Sequence, residues 1–405
     1  MKVHFLGIGG SGTSAAVAIA QAQGYEITGC DLEPINEFTT VFKSEQLLKG
    51  HSPDHLENVD ILAITPAITS LDQNNPELVE AKKLGIPVIT WQQFLGKYLT
   101  QDKFVIAVAG THGKTTTTAM IAKLLEDANL DPTVLLGAIT PRWGRNYRIQ
   151  RQSTNGRGYF VVEADEFNDN FLHLTPDISV ITNIEMDHPE YFKDFAAVKK
   201  SFAKFKKQSK KVIDKPNSKL INFALQVPGD FNILNASLAY QVGQMLGIDP
   251  MTIQKSLSGY TGVGRRFELI GIYHGAQIYS DFGHHPTEIR ETMIAARQKF
   301  PNQRIILIYE PHMFSRTKAL LEDFVKVFKQ IPVDKIIITD IYPSREVDTG
   351  LVSSQDLVDA IHLDSAVYHT KDQLLPMLKD HVQKDDILFF MGAGDIDKYA
   401  KELLS

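Results

Sequence analysis

Short hydrophobic runs rich in β-branched residues alternate with segments of helical periodicity along the whole chain. This alternation is typical of parallel α/β architecture, because a helix returns the chain from the end of one strand to the start of the next. The pattern falls into three series of elements that begin near residues 1, 104 and 264. We therefore predict an α/β protein of three tandem domains, each with a mostly parallel sheet, over residues 1–98, 99–262 and 263–405.

The first series predicts four strands, each followed by a helix, at 3–6, 26–30, 61–65 and 87–90. The second series predicts strands at 104–109, 133–136, 159–163 and 178–184 with helices between them. The lysine-rich stretch 208–218 is expected to be an exposed loop or hairpin edge, and helices are expected at 232–246 and 250–257. The third series predicts a hairpin of 268–272 and 277–282, then strands at 304–309, 335–341, 366–369 and 387–391.

Composition narrows the class of protein. A hydrophobic content of 43% and a charged content of 22% are ordinary for a globular chain. The single cysteine, Cys30, excludes an intramolecular disulfide and is expected to be a small buried residue. The net charge of −6 argues against a nucleic-acid partner. Because there is neither a signal peptide nor an apolar run of ~18 residues, we expect a cytoplasmic protein without a membrane partner, as a monomer or weak homo-oligomer.

A glycine loop between the predicted strand 104–109 and a helix is the strongest local motif. The loop and the start of the helix comprise Gly110, Thr111, His112, Gly113, Lys114, Thr115 and Thr116. Backbone N–H groups at such a helix start bind phosphates. Lys114 would reach the β- and γ-phosphates, and the Thr115 hydroxyl would bind Mg²⁺. Val108 stands where the usual motif has a glycine, so this is a shorter variant. The loop predicts ATP and Mg²⁺ binding; the alternative is an ordinary strand–turn–helix.

A second glycine loop follows the first predicted strand and contains Gly9, Gly10, Ser11 and Gly12. Asp31 ends the second strand, where dinucleotide-binding domains often have a ribose-binding acid. NAD would be the default ligand of such a fingerprint. Since the chain already has an ATP loop, which a hydride transfer would not require, we assign this loop to a nucleotide-linked substrate.

Acidic and histidine residues follow two strands of the second series. Glu163 ends the predicted strand 159–163, and His188 comes shortly after the strand 178–184. Ligands of open parallel sheets gather at the carboxyl ends of the strands. We therefore expect Glu163 and His188 to converge on the triphosphate as metal ligands; the alternative is a set of solvated loop residues.

The third series has basic and histidine residues at strand ends and turns. Arg266 could neutralise phosphoryl charge in transfer. His284, His312 and Arg316 could hold a carboxylated second substrate, whereas His274 and His285 are expected to be structural. The run 392–395 can be read as a tight turn and helix cap.

In this order, the motifs resemble the Mur ligase family of peptidoglycan synthesis over nearly the whole chain. The segments that carry the resemblance are 4–12, 110–116, 163–166, 182–185, 264–268, 284–289, 311–317, 340–343 and 392–396. The resemblance implies a Rossmann-like UDP-sugar domain, a central P-loop ATPase domain and a Rossmann-like domain that brings the amino acid. It implies ATP binding by Asn232, Arg266 and Asp281 in addition to the loop, and catalysis by Lys114, Glu163, His188, Arg266, His284, His312 and Arg316. It also implies UDP-sugar binding by Gly9, Gly10, Ser11, Gly12, Asp31 and His51.

Within the family the resemblance is greatest to the branch that joins L-alanine to UDP-N-acetylmuramate through an acyl phosphate. Phe282 and Met313 stand where that branch usually has tyrosine and arginine, and the segment 189–264 is shorter than usual. The alternative within the family is therefore a ligase for another amino acid or a recycled peptide. Outside the family, the alternatives are a simple P-loop ATPase or kinase and an inactive nucleotide-binding protein. Many relatives use a carbamoylated lysine, which the sequence does not place.

Overall fold

The computed structural model describes residues 1–72, 74–151, 156–344 and 346–405. These residues form two compact units. Unit 1 comprises residues 1–184, 198–220 and 236–257, and unit 2 comprises residues 185–197, 221–235 and 258–405. Unit 1 contains two sheets and unit 2 contains one. The predicted three-domain α/β class is confirmed, and the boundaries near 98 and 262 stay predictions. No helix of the described residues is both long and apolar enough to cross a membrane.

The first sheet has five parallel strands in the order β3-β2-β1-β4-β5. The strands are β1 (Lys2–Leu6), β2 (Glu26–Asp31), β3 (Leu47–Lys49), β4 (Ile61–Ile64) and β5 (Val88–Thr90). The helices are α1 (Ser11–Ala22), α2 (Pro66–Leu71), α3 (Pro76–Leu84) and α4 (Trp91–Phe94). The prediction of a helix after β2 is wrong. The polar segment that follows, which contains Pro34, enters β3 through a short 3-10 turn instead.

The second sheet has six strands in the order β11-β10-β6-β9-β7-β8, and only the β7–β8 pair is antiparallel among the described strands. The strands are β6 (Phe104–Ala109), β7 (Thr133–Thr140), β8 (Arg145–Arg148), β9 (Tyr159–Glu163), β10 (Ile178–Ile181) and β11 (Lys211–Ile213). The helices are α5 (Lys114–Asp127), α6 (Phe195–Gln208), α7 (Asp230–Met245) and α8 (Pro250–Ser258).

Between β9 and β10, where the sequence predicts a helix, the chain forms a kinked 3-10 segment, Phe167–His173. Two further predictions for this sheet are wrong. Between β7 and β9 the chain forms the antiparallel edge strand β8 rather than a helix. Part of the lysine-rich stretch 208–218 is a strand, because the Lys211–Ile213 backbone pairs in parallel with β10. Both are edge strands, whose polar outer side chains weaken the hydrophobic alternation from which strands are predicted.

The sheet of unit 2 has six strands in the order β12-β13-β17-β14-β15-β16. The strands are β12 (Glu268–Tyr273), β13 (Ala276–Asp281), β14 (Ile305–Tyr309), β15 (Lys335–Ile338), β16 (Ala366–Tyr368) and β17 (Ile387–Met391). The helices are α9 (Pro286–Lys299), α10 (Phe314–Ala319), α11 (Leu321–Phe328), α12 (Ser354–Ile361), α13 (Lys371–His381) and α14 (Ile396–Leu403). The predicted hairpin β12–β13 is confirmed.

Both faces of this third sheet are covered. Leu307 on β14 packs in one hydrophobic cluster, and its neighbours Ile306 and Ile308 pack in another on the opposite face. Because successive side chains of a strand point to opposite faces, a strand covered on both sides reads as a continuous apolar run rather than an alternating one. The run at 305–309 was therefore recognisable as a buried parallel strand.

Candidate active site

The phosphate loop joins β6 to α5 in unit 1 and depends on glycine at its first position. Gly110 has φ +140°, and a Cβ there would lie 2.0 Å from Thr182 Oγ1 and 3.0 Å from the Asn183 backbone nitrogen. Gly113 caps α5 in the left-handed region with φ +77°. The turn therefore brings the N–H groups at the start of α5 to the carboxyl edge of the sheet, where an anion can accept them. The predicted strand, loop and helix are all present.

The loop is held from the next strand by Asn183, which follows β10. The His112 N–H donates to Asn183 Oδ1 (2.9 Å), and Asn183 Nδ2 donates to the His112 carbonyl (3.0 Å). The Thr111 N–H also donates to the Asn183 carbonyl (3.3 Å). Sequence reasoning quoted Asn183 within a motif but gave it no role. Its position two residues beyond a buried strand that pairs with β6 was the signal that could have identified it.

Lys114 is paired with Glu166, a residue that sequence reasoning did not assign to the site. Lys114 Nζ lies 2.8 Å from Glu166 Oε2 and 3.0 Å from Oε1, and the Glu166 side chain is only 2% exposed. Burial acts to lower the pKa of Lys114, but the carboxylates of Glu166, Asp165 and Glu163 outweigh it and raise the pKa above its usual value. Lys114 is therefore a permanent cation at the phosphate loop.

Thr115 in the first turn of α5 contacts Glu163 at the end of β9. Thr115 Oγ1 donates to Glu163 Oε1 (2.9 Å), while the Gly137 N–H donates to Glu163 Oε2 (2.8 Å). A hydroxyl and a carboxylate are hard oxygen ligands of the kind that Mg²⁺ takes at a nucleotide site. Thr116, also in this turn, is buried. This juxtaposition of Thr115 and Glu163 fits a divalent cation bound between them.

The N-terminal glycine loop and Asp31 also meet, as the sequence suggested. The Gly9 N–H donates to Asp31 Oδ2 (3.0 Å) at the end of β2. Gly10 is the N-cap of α1 and Ser11 is its first residue. Gly12 lies against Trp91, and a Cβ at Gly12 would be only 2.6 Å from the indole ring. His51 lies after β3, with Nδ1 3.4 Å from Cys30 Sγ.

In unit 2 the buried Arg316 joins an acid and a histidine. Its Nε and Nη2 lie 3.0 and 2.9 Å from Asp187 Oδ1, and Nη1 lies 3.0 Å from His312 Nδ1. Since arginine has no acceptor, His312 Nδ1 must accept, and neutral His312 carries its proton on Nε2. Burial acts to raise the pKa of Asp187, but the charges of His188 and Arg316 outweigh it and hold the pKa well below its usual value.

His284 lies beside this group as a neutral imidazole. Its ring centroid is 5.5 Å from that of His312, and its Nδ1 is 3.1 Å from the Phe282 carbonyl. Burial, and next the charge of Arg316, lower the pKa of His284 to about 3, against the opposing effect of Glu288 and Asp187. His285 caps α9 by accepting from the Thr287 N–H (3.3 Å), which agrees with its expected structural role.

Asp281 ends β13 and accepts two backbone hydrogen bonds, from the N–H groups of Phe267 (2.8 Å) and Gly283 (2.7 Å). Burial raises the pKa of Asp281 to about 6, although Arg266 and these N–H groups act in the opposite direction. The Arg266 guanidinium lies 5.0 Å from the centre of the Phe282 ring, so Phe282 provides a stacking surface.

Asn232, predicted to bind ATP, and His188, predicted to bind the metal, both contact residues close to them in sequence. Asn232 on α7 is buried and its Nδ2 donates to the Pro228 carbonyl (2.7 Å). His188 belongs to unit 2, with φ +53° and Nδ1 3.2 Å from Glu190 Oε1, whereas Glu163 belongs to unit 1. A shared metal between Glu163 and His188 therefore stays a prediction.

Three family models match consecutive parts of the chain. The one described as "Mur ligase family, catalytic domain" matches residues 2–103, the "Mur ligase middle domain" matches 108–213, and the "Mur ligase, glutamate ligase domain" matches 265–394.

Relatives that the chain matches over its full length share one name. The UDP-N-acetylmuramate–L-alanine ligase of Alkaliphilus metalliredigens is 35% identical, covering 100% of this chain and 97% of the relative. The enzyme of that name from Aquifex aeolicus is 33% identical, with coverage of 100% and 97%. The crystal structure of the UDP-N-acetylmuramate–alanine ligase of Thermotoga maritima is similar with a TM-score of 0.78 at 25% identity, covering 100% of this chain and 98% of that one.

Proposed function

Because the chain belongs to the Mur ligase family, we propose that it joins L-alanine to UDP-N-acetylmuramate with ATP as the energy source. The chain is an ATP-dependent ligase of peptidoglycan synthesis. The observation that carries the proposal is the phosphate loop, in which a partly buried lysine and a threonine–glutamate pair lie at the start of one helix. Full-length similarity to ligases that bear the alanine-adding name supports the choice of substrates.

We assign the ATP phosphates to the loop 110–116. The N–H groups at the start of α5 would bind the phosphate oxygens, and the Lys114 ammonium would neutralise the charge that the γ-phosphate bears in transfer. In the structure Glu166 holds that ammonium, so the ammonium would have to exchange part of this contact for a phosphate oxygen. From the resemblance to the family, Asp281, Arg266 and Asn232 are also proposed to bind ATP.

Mg²⁺ is proposed as the metal, with Thr115 and Glu163 as its ligands in unit 1 and His188 as a further ligand. A bound Mg²⁺ would supply positive charge next to the transferring phosphoryl group. The fit rests on the two oxygen atoms 2.9 Å apart at the loop, Thr115 Oγ1 and Glu163 Oε1.

The proposed reaction has two steps. A carboxylate oxygen of the muramic acid attacks the γ-phosphorus, the bond to the β-phosphate oxygen breaks, and an acyl phosphate and ADP result. The uncharged amine of alanine then attacks the acyl carbon, the C–O bond to phosphate breaks, and the amide forms with loss of one proton from nitrogen. Exclusion of water is required because water would compete for the acyl phosphate.

The glycine loop at 9–12, Asp31 and His51 are proposed to bind the UDP-sugar. The loop presents backbone N–H groups at the start of α1, and Asp31 is held against Gly9 in a position to accept from a hydroxyl group. We further propose that the domains divide near 98 and 262, which is supported by the ranges 2–103, 108–213 and 265–394 of the matching families.

The amino-acid site is assigned to His284, His312 and Arg316. With Nδ1 accepting from Arg316, His312 has an Nε2–H that can donate to a carboxylate oxygen. The Nε, Nη1 and Nη2 groups of Arg316 contact Asp187 and His312. Arg316 is therefore proposed to orient His312 and, through its positive charge, to attract the anion. Neutral His284 contributes hydrogen bonding without a competing charge. We also propose that the protein is cytoplasmic, because ATP and the UDP-sugar are cytoplasmic metabolites. A monomer or weak homo-oligomer is proposed as its oligomeric state.

The proposal is tested by measuring phosphate release from ATP with Mg²⁺ and UDP-N-acetylmuramate, with and without L-alanine, glycine, L-serine and a peptide beginning with L-alanine. The expected result is release that depends on both UDP-N-acetylmuramate and L-alanine, with formation of the amide product seen by mass spectrometry. Release that needs no acceptor would contradict ligase activity. Stimulation by glycine, serine or the peptide but not by alanine would replace only the amino acid and retain the ligase.

A further inference from the structure

A buried cluster of histidine, cysteine and glutamate side chains lies in the first sheet of unit 1. His4 is on β1, Cys30 is on β2, Glu77 is in the first turn of α3, and His55 is in the 3-10 turn Pro53–Leu56. The side chains of His4 and Glu77 are fully buried, as is Cys30, and that of His55 is 15% exposed. Such groups are rarely buried together unless something compensates their polarity.

One oxygen of Glu77 has more neighbours than its lone pairs can serve. Glu77 Oε1 lies 3.0 Å from Cys30 Sγ, 3.0 Å from His55 Nδ1 and 3.2 Å from the Ser52 backbone nitrogen. His51 Nδ1 is a fourth neighbour at 3.7 Å. A carboxylate oxygen has two lone pairs, so these donors exceed its capacity as an acceptor.

The other oxygen, Glu77 Oε2, accepts no hydrogen bond from the described residues. Glu77 Oε2 and His4 Nε2 lie 3.1 Å apart, at ion-pair distance, but neither atom has a partner with hydrogen-bond geometry within the described part of the chain. The second ring nitrogen of His4, Nδ1, is 2.8 Å from Thr28 Oγ1. A metal-binding histidine usually has its other ring nitrogen held by a hydrogen bond, and the contact of His4 Nδ1 with Thr28 fits that arrangement while Nε2 faces the cluster.

We propose that His4, Cys30, His55 and Glu77 bind one Zn²⁺ ion. Their four ligand atoms lie within 4.8 Å of one another. Bond lengths of about 2.0–2.3 Å to nitrogen, oxygen and sulfur place tetrahedral zinc ligands about 3.3–3.8 Å apart, so small side-chain shifts suffice. A mixed set of thiolate, imidazole and carboxylate suits zinc better than Mg²⁺ or Ca²⁺, which take oxygen.

Charge balance favours the same ion. Binding releases the Cys30 thiol proton to solvent and leaves a thiolate, a carboxylate and two neutral imidazoles around Zn²⁺. The two negative ligands cancel the two positive charges, so no net charge remains in the buried cluster. His51 is left out of the ligand set, because its Nδ1 is 3.7 Å from Glu77 Oε1, whereas Cys30 Sγ and His55 Nδ1 are each 3.0 Å from it.

The site would have a structural role, since all four ligands come from the protein. It would tie β1 and β2 to the 3-10 turn at 53–56 and to the start of α3. It is separate from the phosphate loop, whose cation ligands Thr115 and Glu163 belong to the second sheet's elements. The inference does not depend on the proposed reaction.

The test uses the purified full chain, stripped with a chelator, then given Zn²⁺ or Co²⁺ with an excess of Mg²⁺ to fill oxygen sites. We expect about one equivalent of zinc to remain after gel filtration. The cobalt form should show thiolate-to-metal charge-transfer absorption in the near ultraviolet. Cys30 is the only cysteine, so the band can come from no other residue of the chain.

Three variants complete the experiment. Cys30→Ser, which is close in size to the native residue, should lose the charge-transfer band, and His55→Asn should lose the retained zinc. The control His381→Asn removes an exposed histidine of α13 and should keep both. Circular dichroism of the metal-free forms checks folding, and the wild-type cobalt spectrum needs no variant at all. Absence of retained zinc, absence of the band in the wild type, or retention of zinc in both ligand variants would overturn the site.

Discussion

At the residue scale, Lys114 and Glu166 form a partly buried ion pair at the phosphate loop. Among the described residues, Glu166 is the one charged group within hydrogen-bond distance of Lys114 Nζ, whose other partner is the Thr111 carbonyl. In a partly buried environment a single charge has a larger effect on a developing phosphoryl charge than it has in open solvent, because solvent screens it less. We therefore expect Lys114 to provide most of the loop's proposed effect on the transferring phosphoryl group.

The first prediction concerns Lys114→Ala. Removing the ammonium should lower kcat/KM for ATP by about 10³-fold, because a charge aimed at the transition state is lost. The affinity for UDP-N-acetylmuramate, measured by calorimetry, should stay unchanged since its proposed loop is at residues 9–12. Lys123→Ala is the matched control on the same helix: Lys123 pairs with Asp127 at the far end of α5, and its loss should leave turnover nearly intact. Equal losses in both variants would contradict the role of Lys114.

The second prediction concerns the pH dependence of stability at His284. Its pKa is lowered from 6.5 to about 3 in the fold, so the unfolded chain takes up a proton first as the pH falls. The contribution of neutral His284 to the free energy of unfolding is therefore complete above pH 6.5. It decreases below that pH, by at most about 2 kcal/mol between pH 7 and 5. Urea unfolding of the wild type and His284→Asn should show their stability difference shifting by this amount. A difference that does not change with pH would contradict a neutral His284.

At the element scale, the loop between β6 and α5 needs glycine at position 110, where it passes close to the residues that follow β10. In the third prediction, Gly110→Ala should destabilise unit 1 and raise the KM for ATP, because its Cβ meets Thr182 and the Asn183 backbone. The expected cost is about 2–4 kcal/mol in urea unfolding. Gly144→Ala is the control: it also has positive φ (+65°) but meets nothing within 4 Å, and should cost about 1 kcal/mol. Equal costs would contradict the close approach.

The fourth prediction concerns the segment 185–197 and α10, which the Asp187–Arg316 pair connects within unit 2. Both side chains are less than a tenth exposed. Arg316→Gln should lower the free energy of unfolding by about 3–5 kcal/mol, because it leaves a buried carboxylate without its cation. Arg290→Gln breaks an exposed pair with Glu291 and should cost less than about 1 kcal/mol. A small loss in Arg316→Gln would show that water already reaches Asp187.

The central strands could be predicted from the sequence because their apolar runs are continuous. β6 and β17, each buried between neighbours, were predicted with the bounds that the structure has. The strands that sequence reasoning missed are β3, β8 and β11, of three or four residues at the edges of their sheets. Such strands have little hydrophobic alternation of their own and form because a neighbouring strand offers its backbone.

Site residues divide in the same way. Lys114 and Thr115 are recognisable because the phosphate loop is a local motif whose parts are adjacent in sequence. Glu166 and Asn183 act on that loop from 52 and 71 residues away, so their contacts depend on the order of strands in the sheet. The contacts of Cys30 were likewise missed, because its partner Glu77 is 47 residues away.

At the scale of the whole molecule, each of three sheets presents a different set of polar groups. The first has the glycine loop with Asp31, the second has the phosphate loop, and the third has the His284–His312–Arg316 group. A ligase of two substrates and ATP needs one site for each, and its rate depends on bringing the reacting atoms together while water is kept out. The central claim is that these sites serve one acyl-phosphate reaction.

The most direct test uses UDP-N-acetylmuramate with ¹⁸O in its carboxylate, incubated with the chain, ATP, Mg²⁺ and L-alanine. If the carboxylate attacks the γ-phosphorus, one labelled oxygen leaves with the phosphate when the amide forms. Mass spectrometry of the released phosphate should therefore find one ¹⁸O atom in each phosphate molecule that accompanies an amide product. Unlabelled phosphate released alongside the product would contradict an acyl-phosphate ligase.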